Sequence, residues 1–314
     1  MLKAAGDPTR LRVLLLLREA ELTVSEVTDI VGQSQPLVSR HLKLLSEAGL
    51  VQRFKEGSWV FYRAAERGAG AELGAVLAAI AAAQSQESDL KRLTAVREAR
   101  AAEAAAYFKA NAAQWERIRA LHAPEREVEA AILKRIGVQP MESLLDAGTG
   151  TGRMLELLAP HVKHAVGIDV SSEMLAIARD RLARAKINRA QVRLGDIYRL
   201  PFPNGDTRQG FDVILFHQVL HYLDDPGAAL VEAARVLRSR GRILVVDFAA
   251  HGLEFLRKDF AHRRLGFSDR EVQGWFHAAG LRSQGSESIV AGKDKLVVKL
   301  WSARASYAAR TEAA

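Results

Sequence analysis

The chain has 314 residues and a formal net charge of +8, so it is long enough for two domains with separate cores, and its charge suits a nucleic-acid partner. It contains no cysteine, which excludes disulfides, thiolate metal ligands and cysteine nucleophiles. No apolar run approaches the roughly 20 residues of a membrane span and no signal peptide is recognisable, so we expect a cytoplasmic protein with no membrane partner.

The first 65 residues predict short helices followed by a β-hairpin. Asp7-Pro8 is a favourable helix start, and residues 23–26 form a capping box that opens a second helix. Gly32 ends that helix, and Ser34 caps a third helix that runs to Ala48. Two short helices joined by a few residues around a glycine form a helix-turn-helix.

The third helix has an apolar side and a polar side. Val38, Leu42 and Leu45 repeat at helical spacing and predict the buried side. The other side carries side chains that can bond base edges or phosphates. Because residues 1–65 hold nine basic and seven acidic residues, this pattern predicts DNA binding and bulk charge does not. The candidate DNA-contacting residues are Ser34, Gln35, Ser39, Arg40, His41 and Lys43, with Lys55 from the hairpin turn.

The order of helices and hairpin resembles the winged helix of the ArsR/SmtB repressors. The segments that carry the resemblance are Asp7-Pro8-Thr9-Arg10-Leu11, Val38-Ser39-Arg40-His41-Leu42, Ala48-Gly49-Leu50-Val51 and Gly57-Ser58-Trp59-Val60-Phe61-Tyr62. The resemblance implies a homodimer that binds double-stranded operator DNA. Thr23 and Ser25 stand where many of these repressors have metal-sensing cysteines, so a thiolate metal sensor is excluded.

Residues 66–123 are expected to form a helical dimerisation and linker region. Residues 69–83 are rich in alanine and resemble the C-terminal helix through which such repressors dimerise. Residues 84–88 are the best linker candidate. A mixed-charge helix is predicted from there to about Arg119.

Residues 144–153 predict a buried strand, a glycine turn and a helix. Glycines at positions 148, 150 and 152 follow the spacing GxGxG, and without Cβ atoms they let a ligand lie against the backbone. Residues 164–169 predict a second apolar strand that ends in Asp169, about 20 residues further on. In nucleoside-binding α/β folds, a carboxylate at this place accepts the ribose hydroxyls.

These residues resemble the first two motifs of class I S-adenosylmethionine (SAM)-dependent methyltransferases. Later segments agree over roughly residues 107–302: residues 191–197, 211–218 and 241–247 look like strands three to five, and residues 283–289 and 295–301 like a closing antiparallel pair. The resemblance implies an α/β protein with a doubly wound, seven-stranded Rossmann-like domain over residues 124–302. This domain follows the winged helix of residues 1–65 and precedes a flexible tail of residues 303–314.

The resemblance also implies a SAM site. Backbone N–H groups of residues 148–150 would contact the methionine end, Asp169 the ribose, and Val170 and Met174 the two faces of adenine. Asp169 could instead cap the next helix, and Asp196 could be an ordinary turn aspartate. The cofactor-binding residues implied are Tyr107, Asp146, Gly148, Thr149, Gly150, Gly152, Asp169, Val170, Met174, Asp196, Ile197, His217 and Gln218.

Two aromatic positions in the linker helix have a role in this comparison. Similar methyltransferases have an N-terminal helix whose aromatic side chain closes over the cofactor. Tyr107 and Trp115 are the candidates for such a lid. The alternative is that both rings only pack the helix onto the catalytic domain.

Methyl transfer from a sulfonium is an in-line displacement that needs proximity and alignment, and it needs a base only when the acceptor must lose a proton. His221, just after the fourth strand, is the candidate catalytic base, or else a histidine that packs the loop. The histidines at 251 and 262, with Asp247 or Asp259, have irregular spacing, so no metal site is predicted.

The sequence therefore predicts a DNA-binding regulator fused to a methyltransferase that acts on a small molecule. His217-Gln218-Val219-Leu220 looks like the quinone C-methyltransferase branch and lacks an NPPY-like amide-recognition motif. Arsenite methylation is disfavoured because it needs cysteine thiolates. The alternative is a repressor that senses SAM or S-adenosylhomocysteine without catalysis, which requires different ligand affinities in its two DNA-binding states.

Overall fold

The computed structural model forms two compact units, Met1–Glu103 and Ala104–Ala314. The structure describes residues 2–56, 59–65, 73, 76, 87–112, 125–137, 141–205, 210–290 and 296–305. Four sequence-based expectations lie outside these residues: the wing turn at Gly57-Ser58, most of the dimerisation helix and linker, Trp115, and the tail beyond residue 305. No helix among the described residues is long and apolar enough to cross a membrane.

The N-terminal unit contains the predicted helix-turn-helix and hairpin. Its elements are α1 (Leu2–Ala5), α2 (Pro8–Glu19), β1 (Leu22–Thr23), α3 (Val24–Val31), α4 (Gln35–Glu47), β2 (Val51–Glu56) and β3 (Trp59–Ala64). The Asp7 carboxylate accepts a hydrogen bond from the Arg10 N–H at the start of α2. The Thr23–Glu26 capping box opens α3, and Gly32 ends it with a φ of 71°. These caps satisfy N–H groups that a helix start leaves without partners.

The core of this unit lies between the helices and a three-stranded sheet of order β1-β3-β2. Val38, Leu42 and Leu45 of α4 are fully buried, as their spacing predicts. The next described helix, α5 (Glu87–Asn111), adds Leu93 to this core. The Asp89 carboxylate of α5 forms a two-pronged ion pair with Arg12, with distances of 2.6 and 2.7 Å.

The C-terminal unit alternates helices and strands. Its elements are α6 (Glu125–Ile136), β4 (Met141–Ala147), α7 (Arg153–Leu158), β5 (Val162–Asp169), α8 (Ser172–Arg184), β6 (Ala190–Leu194), β7 (Phe211–His217), α9 (Pro226–Val236), β8 (Leu237–Phe248), α10 (Phe255–Phe260), α11 (Asp269–Ala278), β9 (Leu281–Ile289) and β10 (Val298–Ala305). Two short 3₁₀ turns, Ala159–His161 and Leu220–Tyr222, follow α7 and β7.

The seven strands form one sheet in the order β6-β5-β4-β7-β8-β10-β9. The first five run parallel to one another, and β10 is antiparallel to both of its neighbours. Alternate residues of each strand point to opposite faces, and each face has its own apolar core. The predicted mixed α/β fold with a seven-stranded, mostly parallel sheet is confirmed.

Candidate functional site

Most of the chemistry-bearing residues lie at the carboxyl edge of the parallel strands. Strand order reverses between β4 and β7, and this reversal opens a crevice beyond the strand ends. The segments after β4, β5 and β7 surround it. They contain the glycine turn at residues 148–152, Asp169 with Val170, and residues 217–222.

The glycine turn has an unusual backbone conformation that lets neighbouring side chains pack closely as well as giving a ligand access. Gly148, Gly150 and Gly152 all have positive φ values, of 78°, 52° and 77°. A Cβ atom on Gly148 would lie 2.4 Å from Cγ2 of Val219, and one on Gly152 would lie 2.9 Å from Cβ of Ala178. At Gly148 and Gly152 the structure gives a packing reason for glycine, and the cofactor-binding roles of these two residues stay predictions. There the missing Cβ admits a neighbouring side chain.

Asp169 holds the turn in place. One oxygen accepts a hydrogen bond from Gly150 N–H at 2.8 Å, and the other accepts one from Ser171 N–H at 2.9 Å. Burial raises the pKa of the Asp169 carboxyl, and these N–H donors partly counteract that rise. Each oxygen accepts one bond here, which leaves a second lone pair at each for a ligand hydroxyl.

The backbone donors of the turn are already engaged. The N–H groups of Gly148 and Thr149 both donate to the Ile168 carbonyl, at 2.8 and 2.9 Å. Gly150 N–H is bound to Asp169, so these N–H groups have partners within the chain, and their expected contact with the methionine end of a ligand stays a prediction. The donors tie the turn to β5, because a buried N–H without a partner is costly.

Asp146 is the next-to-last residue of β4 and is almost fully buried. Its Oδ2 accepts a hydrogen bond from the Thr149 hydroxyl at 2.6 Å. This bond is local, so the structure places Asp146 and Thr149 together as support for the turn. The cofactor-binding role implied for Asp146 stays a prediction.

The two residues expected to sandwich adenine lie in different surroundings. Val170 is 59% exposed, whereas Met174 is only 2% exposed, and it packs with Ala112 and Tyr107. Met174 lies on the inner face of α8, so it supports α5 and is enclosed. Only Val170 presents an open surface in this structure, and the expected contact of both residues with adenine stays a prediction.

Asp196 and Ile197 follow β6 at the same edge. The Asp196 Oδ1 accepts a hydrogen bond from Tyr198 N–H at 2.9 Å, and its carbonyl accepts one from Arg199 N–H. This is the turn aspartate that the sequence left open as an alternative. Its carboxylate is exposed and Ile197 is buried, so a ligand-facing role for the pair stays a prediction.

His217 and Gln218 lead out of β7. Gln218 has a positive φ of 51°, rare for a residue with a side chain, and its N–H donates to the Val246 carbonyl at 2.7 Å. This sharp turn directs the next residues across the crevice, where Val219 meets Gly148. Gln218 is buried and His217 is partly exposed.

His221 is buried beside Asp247, the next-to-last residue of β8. The two side chains meet at 2.6 Å between His221 Nδ1 and Asp247 Oδ1. Asp247 also accepts hydrogen bonds from the N–H groups of His221 and Phe248. From the sequence alone, Asp247 is only a possible metal ligand. Because β7 and β8 are parallel neighbours, their carboxyl ends meet, and that rule alone could have paired these residues.

Aromatic rings enclose this pair. The ring centroids of Tyr222 and His262 lie 4.1 and 4.2 Å from that of His221, and Phe248 lies at 5.2 Å. Burial raises the pKa of Tyr222 well above its ordinary value and lowers the pKa of His251 to about 4. No group of three or more metal-ligating side chains is placed to hold an ion within the part of the chain that the structure describes.

Tyr107 packs where the lid was predicted. It lies with Phe108 against Met174 and Tyr222, and the Phe108 and Tyr222 centroids are 4.8 Å apart. Burial, helped by Asp259, raises the pKa of Tyr107 to about 12. The contacts fit both the lid and the simple packing interpretation, so closure over a ligand stays a prediction.

The helix α4 presents most of the predicted DNA-contacting residues to solvent. Ser34, Gln35, Ser39, Arg40 and Lys43 are exposed, as is Lys55 of β2. His41 is the exception at 8% exposure, and burial lowers the pKa of its imidazole. Its side chain falls on the inner side of α4 beside Leu42, so we remove His41 from the predicted surface.

The two units of the chain match different protein families. Residues 7–53 match the family described as bacterial regulatory protein, arsR family, and residues 145–245 match the family described as methyltransferase domain. An HTH-type transcriptional regulator of Methanocaldococcus jannaschii is 48% identical over 61 residues, which are 19% of this chain and 68% of the relative. A demethylmenaquinone methyltransferase of Tropheryma whipplei is 37% identical over 119 residues, 38% of this chain and 47% of that protein.

A solved structure shares the fold of the C-terminal unit. It is one chain of a complex that contains the Haloferax volcanii Trm112 methyltransferase activator, with a TM-score of 0.52 and 23% identity, covering 63% of this chain and 97% of that one. The chain spans less than half the length of the first curated relatives that it matches.

Proposed function

Because the chain belongs to the arsR family of bacterial regulatory proteins and carries a methyltransferase domain, we propose that it binds operator DNA and also transfers a methyl group from SAM to a small molecule. The DNA-binding half rests on the exposed polar side of α4 and on Lys55. Arginine and lysine there reach phosphates or guanine, while glutamine and serine bond base edges. A homodimer would place two such helices on an operator with two half-sites.

The single observation that carries the cofactor proposal is the geometry of Asp169. Its carboxylate lies at the end of β5, oriented by two backbone N–H groups, with one lone pair left on each oxygen. That donor set fits the two adjacent hydroxyls of a ribose. Val170 offers an open apolar surface beside it for adenine. When bound, SAM supplies an electrophilic methyl group on a sulfonium.

The catalytic contribution of the chain is to bind, align and exclude water. Gln218 and Val219 follow β7 at the carboxyl edge of the sheet, where Val219 lies next to Gly148, and the acceptor would bind beside them. His221 is the proposed base for an acceptor that must lose a proton. Demethylmenaquinone methyltransferases are among the relatives, which supports a small-molecule acceptor.

Methyl transfer is tested by incubating the full-length chain with methyl-labelled SAM and a protein-free cell extract. The proposal expects label in a small-molecule fraction, and no label with an Asp169→Ala variant. If the wild-type chain binds SAM but labels nothing in any fraction, the non-catalytic sensor that represses transcription in response to SAM or S-adenosylhomocysteine replaces the enzyme.

A further inference from the structure

We propose that the methyl acceptor is a planar aromatic molecule with an acidic hydroxyl, and that His221, positioned by Asp247, removes the hydroxyl proton. The inference rests on the proposed methyltransferase function and specifies its substrate class. It starts from the His221–Asp247 pair near the ends of β7 and β8, where the sequence alone points to a single histidine.

The hydrogen bonds around Asp247 orient the imidazole ring of His221. A carboxylate oxygen accepts, so the tautomer that fits the 2.6 Å contact has its ring proton on Nδ1 of His221. The basic lone pair is then on Nε2. Asp247 is itself fully buried and held by the N–H groups of His221 and Phe248, so the imidazole cannot turn away without breaking this network.

His221 Nε2 is buried and has no hydrogen-bond partner among the described residues. A buried acceptor without a partner costs free energy, and the hydroxyl of a bound acceptor would supply the missing hydrogen bond. The backbone on this side is also tied down. The N–H groups of Arg263 and Arg264 both donate to the His221 carbonyl, at 2.9 and 3.0 Å.

The surroundings of the imidazole indicate the shape of the acceptor. Tyr222, Phe248 and His262 present ring faces and edges within 5.2 Å of it, and Phe108 continues this wall from α5. Flat apolar walls favour a planar ring, which gains edge-to-face and offset contacts there. Asp247 Oδ1 already accepts two bonds from this chain and Oδ2 accepts one from the His221 N–H, so the carboxylate is engaged in holding the imidazole.

The step balances without a further reactant. The acceptor O–H bond breaks, and its proton moves to His221 Nε2. The oxygen forms a bond to the methyl carbon as the carbon–sulfur bond breaks, and that electron pair stays on sulfur in S-adenosylhomocysteine. Asp247 balances the imidazolium charge until the proton passes to water on product release.

The test uses 4-nitrophenol, whose ionised form has its own visible absorption band. It is titrated into the full-length chain, loaded with S-adenosylhomocysteine, at about one unit below the solution pKa of the phenol. The wild-type chain is expected to bind the probe and show the phenolate band. His221→Gln should lose that band, and Asp247→Asn should reduce the bound phenolate about tenfold, because its amide no longer balances an imidazolium. His277→Gln, an exposed histidine on α11, is the matched control and should behave like wild type.

The proposal is overturned if the wild type takes up the probe only in its neutral form or not at all, or if His221→Gln ionises it equally well. A structural role for the pair would lower binding of the probe without changing its ionised fraction. S-adenosylhomocysteine affinity is measured alongside. If the wild-type chain does not bind S-adenosylhomocysteine, the proposed cofactor site is contradicted. If it binds S-adenosylhomocysteine but does not ionise the probe, only the proposed acceptor class is contradicted.

Discussion

Gly148 shows how the shape of the crevice can require one residue type at one position. Its φ of 78° and the Val219 side chain at 2.4 Å from an added Cβ both exclude larger residues. We predict that Gly148→Ala lowers the free energy of unfolding by about 2 kcal/mol, through backbone strain and a steric clash. Denaturant unfolding followed by circular dichroism measures this loss.

Gly274 provides the matched control for that substitution. It lies within α11, and an added Cβ meets no atom within 4 Å. Gly274→Ala should leave stability unchanged or raise it by up to about 1 kcal/mol, since alanine is the better helix former. A Gly148→Ala variant as stable as Gly274→Ala would show that the turn is not constrained as described.

For single residues, the sequence predicted where a functional side chain lies better than it predicted which atoms that side chain contacts. Spacing placed Asp169 at a strand end, where it is found. It could not show that Gly150 and Ser171 donate to it, because backbone donors carry no sequence signal. His41 was misplaced for a related reason: it lies on the boundary between the two sides of α4, and helical spacing does not decide such boundary positions.

Among the elements, α5 is held to the N-terminal core by the Arg12–Asp89 ion pair. The Asp89 side chain is 2% exposed and that of Arg12 is 32% exposed, so the pair is only partly screened by water. We predict that Asp89→Ala lowers the stability of the N-terminal unit by about 2 kcal/mol, because the guanidinium keeps its charge and loses its partner. Hydrogen exchange at amides of α2 and α5 reports the loss locally.

The same helix offers a control of equal charge change. Glu87 forms an ion pair with Lys91 in which both side chains are more than 70% exposed. Glu87→Ala should change stability by less than about 0.5 kcal/mol. Equal effects of the two substitutions would contradict a structural role for the buried carboxylate.

The recognition helix α4 gives a second prediction at the scale of elements. Arg40→Ala with Lys43→Ala should weaken binding to the promoter DNA and lower the slope of log affinity against log salt by about 2, since two phosphate contacts are lost. Gel-shift titrations at several salt concentrations measure the slope. Lys134→Ala with Arg184→Ala, two exposed cations of the C-terminal unit, removes the same charge as a control.

An unchanged salt slope in the Arg40 and Lys43 variant would mean that α4 does not contact DNA.

The helices and strands themselves were predictable from the sequence, because caps and apolar spacing mark their ends. Strand β8 extends beyond its predicted bounds, from Leu237 to Phe248, and β6 stops at Leu194, short of Asp196. Strand ends depend on pairing with neighbours, which a single sequence does not encode.

For the whole molecule, the sequence indicated two functional units from two unrelated motif sets. The structure gives each its own apolar core. The structure also shows that the carboxyl ends of β7 and β8 lie side by side. This brings His221 and Asp247 together, although they are 26 residues apart in the sequence. Such pairs follow from sheet order, and the sequence alone gives that order only through a resemblance.

The central claim is that the Asp169 crevice binds SAM in a chain that also binds DNA. The most direct test is a calorimetric titration of SAM into wild type and Asp169→Ala, with Asp180→Ala as a control carboxylate on the surface of α8. We predict binding to the wild type and the control, a loss of about 100-fold in affinity for Asp169→Ala, and equal promoter binding by all three. Absence of SAM binding by the wild type, or equal affinity of Asp169→Ala, would contradict the claim.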